Sequence, residues 1–141
     1  MLTDIDHFKR INDAYGHAEG DRVLKELVLR AENTMRSIDY FGRIGGEEFA
    51  LLMPDTGIDG AIAVGERLRA ELALERSASE QKSSSSAAMN YTVSIGVAVL
   101  RHRDTFQDLL QRADAALYRA KANGRNCVVC EADPLAGSPA S

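Results

Sequence analysis

Two acidic segments carry residue types and spacings that could do chemistry. Arg43-Ile44-Gly45-Gly46-Glu47-Glu48-Phe49 sets two glycines directly before two acids and then a buried-type run that ends at Met53. Glycine tolerates positive φ and lets a ligand approach the backbone, so this pattern reads as a tight turn bearing carboxylates. Their oxygens suit a hard cation such as Mg²⁺. An ordinary solvated hairpin turn has the same composition. The opening of the chain adds to the chemical reading. Asp4 and Asp6 are spaced i and i+2, which in a strand puts both on one face, and Lys9 follows closely. An acid that holds a cation, with a lysine that neutralises phosphate charge, is what metal-assisted chemistry on phosphates requires. A charged exit from strand to loop is the plain alternative.

Asp4 and Glu47 are distant in sequence, so the first strand must lie beside the hairpin for these groups to meet. Positions Val23, Leu24, Leu27, Val28, Ala31 and Met35 recur at helical spacing and predict a helix over Ala18 to Arg36, with Asp21 in its first turn. Tyr40 to Pro54 reads as a hairpin around Gly45-Gly46, its second arm apolar enough to lie centrally in a sheet. Ala61, Val64, Leu68 and Leu72 mark a second helix, and Val93, Ile95, Val97 and Val99 alternate along a half-buried strand over Tyr91 to Leu100. A third helix carries Phe106, Leu109, Leu110, Ala113, Leu117 and Ala120, stops at Asn123-Gly124, and precedes a last strand at Asn126 to Val129. The Ser-rich stretch Ser77 to Ser86 has too little apolar surface to offset its ordering and reads as a loop. This order predicts one α/β domain over residues 1–131, with helices on a mixed sheet, and a disordered tail at 132–141.

Composition narrows the partner. The chain has 141 residues, enough for one domain with a core, and its 45% hydrophobic content is ordinary. A net charge of −4 and a pI near 5.4 argue against a nucleic-acid polymer and for a small anion held through metal. No run of about 18 apolar residues and no signal-peptide pattern is present, which predicts a cytoplasmic location without membrane contact. Cys127 and Cys130 flank two valines in a strand-like run and would face opposite ways, against zinc or a disulfide. No Walker A pattern occurs, so any phosphate site needs another geometry.

The ordered motifs carry a resemblance. Asp4-Ile5-Asp6-His7-Phe8-Lys9-Arg10-Ile11-Asn12-Asp13, Tyr15-Gly16-His17, Gly20-Asp21 and Arg43-Ile44-Gly45-Gly46-Glu47-Glu48-Phe49 resemble the GGDEF family. Val93-Ser94-Ile95-Gly96-Val97-Ala98 and the run Ala113 to Asn126 resemble its closing strand and helix, and Glu47 in place of the name-giving Asp keeps the carboxylate. The resemblance implies the palm-like, nucleotidyl cyclase-type sandwich, with Gly-Gly-Glu-Glu-Phe on a β-hairpin. It also implies a diguanylate cyclase, a nucleotidyltransferase that condenses two GTP into cyclic di-GMP with release of two pyrophosphates.

The same resemblance implies roles for residues. Asp4, the Ile5 carbonyl, Glu47 and Glu48 would hold Mg²⁺ or Mn²⁺, and Glu47 would help take the hydroxyl proton. Lys9, Lys121 and Arg125 would bind phosphates, with the backbone around His7, Phe8 and Lys9 suited to the same anion. Asn12 and Asp21 match the guanine readers, and His17 would line the nucleoside pocket. Arg36 and Asp39 form an Arg-x-x-Asp that ends before Gly45, where the family carries its inhibitory product site, with Arg67 joining from a neighbouring subunit. A two-fold symmetric product served by one pocket per chain implies a homodimer.

The chain begins three residues before Asp4, where the family usually carries an Asp-x-Leu-Thr motif, a helix and most of the first strand. A cut-down chain, an exposed part of the sheet and a missing sensory domain are therefore expected. Two other functions stay open. One is a catalytically weak module that binds cyclic di-GMP or GTP. The other is a cyclase acting on one triphosphate, or a polymerase palm, with the same metal chemistry and a different substrate.

Overall fold

The computed structural model of the protein describes residues 1–79 and 90–132. The first strand, β1 (Leu2–Ile5), is buried along its whole length and forms the middle of a five-stranded sheet. Two helices follow, α1 (Phe8–Tyr15) and α2 (His17–Thr34), then the hairpin β2 (Tyr40–Gly45) and β3 (Glu48–Leu52). The chain continues through α3 (Ile58–Ser79), β4 (Val93–Val97), α4 (Phe106–Ala122) and β5 (Val128–Cys130). The sheet order is β2-β3-β1-β4-β5, antiparallel except for the β4–β5 pair. This is the expected mixed sheet flanked by helices, in a palm-like α/β sandwich.

Alternation along the strands separates two cores. Ile5, Phe49, Leu51, Val93, Ile95 and Val97 pack under α2 and α3 through Val23, Leu27, Ala31, Ala61, Leu68 and Leu72. On the other face Leu2 meets Ala113 and Leu117 of α4. Asp4, two residues after Leu2, therefore faces α4, as period-two geometry requires. Helix α4 is held at its start by a capping box between Thr105 and Asp108. Arg112 then bridges Asp104 and Glu131, tying the loop before α4 to the segment after β5. That pairing, with Arg112 foremost, holds the Asp104 carboxyl below its ordinary range.

Four details differ from the sequence reading. Strand β4 is buried on both faces, because Ser94 and Gly96 are small enough for α4 to dock against them. Helix α1 was not anticipated: its eight residues expose one face, and only Ile11 is buried. Helix α2 starts at His17, so Glu19 and not Asp21 lies in its first turn. Residues Ser77–Ser79 of the expected loop continue α3, and 80–86 lie outside the described residues, as does the tail beyond 132. Cys127 and Cys130 are free thiols. Among the described residues no helix is long and apolar enough to cross a membrane.

Candidate active site

The site assembles at one end of the sheet. In the β1–β3 ladder Asp4 stands opposite Glu48, and the Ile5 amide donates to the Glu47 carbonyl at 3.3 Å. The first strand thus lies beside the acidic hairpin. Gly46 turns it with φ 51°, a left-handed value that a side chain disfavours. Arg43 Nε donates to the Gly46 carbonyl at 2.7 Å and closes the turn. Glu47 is therefore at the tip, while Glu48 is the first residue of β3.

Lys121, in the last turn of α4, donates from Nζ to Asp4 Oδ2 at 2.7 Å. The Asp4 side chain is 11% exposed and that of Lys121 36%. Burial drives the Asp4 carboxyl above its ordinary value; Lys121 opposes this, and Glu47 and Asp6 reinforce it. Glu48 is also raised, first by burial and then by Asp114, with Asp4 and Glu47 adding to it and Lys121 opposing. One ammonium is thus set among several carboxylates that repel one another. Asp114 was missed from sequence, although it precedes Lys121 by seven residues and so shares its helical face.

Hard oxygen donors and a desolvated carboxylate already drawn to a positive charge fit a divalent cation. Asp4, the Ile5 carbonyl, Glu47 and Glu48 are the groups that would hold it. Among the described residues no closed cluster of three His, Cys, Asp or Glu side chains is formed. The positive charge beside Asp4 is that of Lys121.

The remaining residues fall into three places. His7 opens α1 in the left-handed region, φ 56°, and Lys9 follows, exposed in its first turn. A Cβ built on Gly20 would stand 1.9 Å from Asn12 Oδ1 and 3.3 Å from the Phe8 ring. Asn12 and Phe8 therefore pack on the backbone of α2 directly before Asp21, which is exposed, as is His17. Beyond Asp21, Leu24, Val28, Phe41, Arg43 and Phe49 line a cleft of about 680 Å³, with the two phenylalanine rings stacked. Arg125, exposed, lies in the turn after α4.

Arg36 and Asp39 form a closed turn on another part of the surface. The Arg36 amide donates to Asp39 Oδ2 at 2.8 Å, and the Asp39 amide returns a bond to the Arg36 carbonyl at 3.0 Å. Arg36 Nη2 reaches Asp39 Oδ1, the Pro54 carbonyl at 2.7 Å and Thr56 Oγ1 at 2.6 Å. The Arg36 side chain stays half exposed while that of Asp39 is 2% exposed. Arg67 is exposed on α3, a different element.

Comparison with known proteins agrees with this geometry. The sequence matches the family model described as "Diguanylate cyclase, GGDEF domain" over residues 1–127. It is 44% identical over 133 residues to the response regulator PleD of Caulobacter vibrioides, covering 94% of this chain and 29% of that protein. It is also 44% identical over 129 residues to diguanylate cyclase DgcM of Escherichia coli K12, covering 92% of this chain and 30% of that protein. The chain thus spans less than a third of these curated relatives. Among solved structures, the GGDEF domain of DgcB from Caulobacter crescentus in complex with c-di-GMP superposes with a TM-score of 0.82 at 33% identity, covering 92% of this chain and 74% of that one. Diguanylate cyclase SiaD of Pseudomonas aeruginosa, in complex with its activator SiaC, gives 0.80 at 40% identity, covering 92% and 48%. With the acidic hairpin set against β1 and matched across 127 residues, this chain belongs to the diguanylate cyclase GGDEF domain family.

Proposed function

We propose that this chain condenses two GTP into cyclic di-GMP across a homodimer. The observation that carries the reading is the meeting of Asp4, Glu48 and Lys121 at the ends of three different elements. Each 3′-hydroxyl attacks an α-phosphorus: an O–P bond forms, the bond from that phosphorus to the β-phosphate bridge breaks, pyrophosphate leaves, and the hydroxyl proton is released. A bound divalent cation, Mg²⁺ or Mn²⁺, supplies the Lewis acidity that acidifies the hydroxyl and offsets phosphate charge. Glu47, at the hairpin tip, takes the proton. Lys121 neutralises Asp4 in the free protein and turns to phosphate in the complex, joined by Lys9 and Arg125 as point charge and fork.

Asn12 and Asp21 read the guanine edge, an amide and a carboxylate matching its donors and acceptor. The cleft beyond Asp21 has the size of a small-molecule seat. Gly20→Ala should push the Asn12 amide aside, since the new Cβ would overlap it. The expected result is a rise of about tenfold in KM for GTP, the equivalent of one lost hydrogen bond, with little change in Tm.

Cyclic di-GMP inhibits at the Arg36–Asp39 turn, with Arg67 of a second molecule completing the site. Inhibition away from the catalytic pocket is then allosteric. Arg36→Ala keeps the backbone amide that holds Asp39, so the turn persists while the guanidinium is gone. The inhibition constant should rise about tenfold or more, read from initial rates at increasing cyclic di-GMP. Unchanged inhibition would remove the turn from the account.

Similarity to a c-di-GMP complex favours a second reading, a receptor without turnover. Product analysis with GTP, ATP and CTP in parallel tests the choice. Cyclic di-GMP from GTP alone, lost in Glu47→Gln, supports the cyclase; a one-nucleotide cyclic product would point to the other cyclase class.

A further inference from the structure

We propose that Asp6 is a positioning residue for the triphosphate, fixing the turn that carries Arg125; this rests on the phosphate role proposed for Arg125. Asp6 directly follows β1 and is 4% exposed. Its Oδ1 accepts from Ser94 Oγ at 2.6 Å, and its Oδ2 accepts from Thr92 Oγ1 at 2.6 Å and from the Asn126 amide at 3.1 Å. The Asp6 amide adds a bond to the Thr92 carbonyl at 2.9 Å. Both carboxylate oxygens are therefore engaged, and one side chain joins the end of β1, the strand β4 and the turn from α4 to β5. Asp4, two residues earlier on the same face, meets Lys121 instead. The two acids of the Asp-x-Asp pair divide between the cation site and its frame.

That turn needs a frame. Gly124, Arg125 and Asn126 have φ of 103°, 64° and 47°, three successive left-handed residues, two of which carry a Cβ. L-residues avoid this region, and asparagine tolerates it better than arginine does. Such a conformation persists only where its surroundings over-determine it. The Arg125 amide bonds the Ala120 carbonyl at 3.0 Å on the helix side. Asp6 takes the next amide along, and Arg69 Nη1 reaches Asn126 Oδ1 at 3.4 Å. A buried carboxylate accepting a backbone amide is a charge-assisted tie, the strong kind of hydrogen bond. Without it the turn is free to relax toward negative φ and swing Arg125 away from the end of α4.

The test is nucleotide affinity, measured by calorimetry on the chain with GTP and with GMP. The variants are Asp6→Asn, Arg125→Ala and their double. Asp6→Asn should weaken GTP about tenfold and GMP less than twofold, matching Arg125→Ala, and the double variant should be no weaker than either single one. Losses that multiply in the double variant, or equal losses for GTP and GMP, would overturn the inference. So would full GTP affinity in Asp6→Asn beside a loss in Arg125→Ala, with the phosphate role of Arg125 intact. No loss in Arg125→Ala would sink that role and the inference together. Thr92→Val removes one of the three donors from outside the turn. If Asp6→Asn does not fold, Thr92→Val decides by the same GTP-to-GMP ratio, a smaller selective loss supporting the inference and an unchanged ratio overturning it.

Discussion

Asp4→Asn is expected to cut cyclic di-GMP formation by about 10³-fold, because losing a cation's stabilisation of developing charge forfeits about 4 kcal/mol. The same substitution should leave Tm unchanged or raise it. Burial is the largest influence on the Asp4 carboxyl and pushes its pKa up, so the ionised group is held at a net cost that Lys121 offsets only in part. An amide of the same shape removes the charge and still accepts from Lys121. The sign in pH follows. A carboxyl whose folded pKa is raised binds its proton more tightly in the native state, so its contribution to stability falls as pH rises through that pKa. Glu48 acts in the same direction. These two carboxyls should therefore add to the Tm of the metal-free protein on acidification toward the raised carboxylate range, while the buried Met1 amine, lowered to about 6, opposes the gain; Asp4→Asn should remove the Asp4 part, read as the difference between the two pH profiles. Calorimetric scans across pH, paired with initial rates, check both halves. A variant that loses activity and Tm together would show that Asp4 serves the fold.

Gly96→Ala should be the most damaging single methyl in the described chain. A Cβ at that position would lie 2.3 Å from the Ala113 carbonyl oxygen and 2.3 Å from the Leu117 amide nitrogen, both backbone atoms of α4. No rotamer relieves a clash with backbone, so the helix must lift from β4. Overpacking of this kind costs about 3 kcal/mol, at the upper end of its usual range, and should lower Tm by roughly 10 °C. The same movement carries Lys121 away from Asp4, since one sits on α4 and the other on β1. GTP affinity should fall with stability, unlike in Gly20→Ala, where the clash is with a side-chain tip. Thermal melts with and without GTP would distinguish the two glycines.

The residues that could be read from sequence were those whose chemistry is written in type and spacing. The acids of the hairpin and the Asp-x-Asp pair stand out by type and spacing, the lysine of the last helix only through the family resemblance; Asp4, Glu48 and Lys121 meet in the structure, and strand alternation puts Asp4 on the face it occupies. Other features needed three dimensions. The both-sided burial of β4 depends on Ser94 and Gly96 as docking space, which a period-two reading of the valines takes for a solvated face. Helix α1 is short, with a single buried residue, and so carries little apolar periodicity. Asp6 and Asp4 look equivalent along the chain; the donors that separate them come from Thr92, Ser94 and Asn126, more than eighty residues away. Asp114 acts on Glu48 only because the fold brings α4 within electrostatic reach of the start of β3.

Incubating the chain with GTP and Mg²⁺ at rising protein concentration, and resolving the nucleotides by chromatography, decides whether two copies of this chain make cyclic di-GMP. Cyclic di-GMP with two pyrophosphates for each product is expected, at a rate per chain that climbs with concentration as two pockets come to face each other. GTP that binds and stays intact at every concentration would contradict the proposed function.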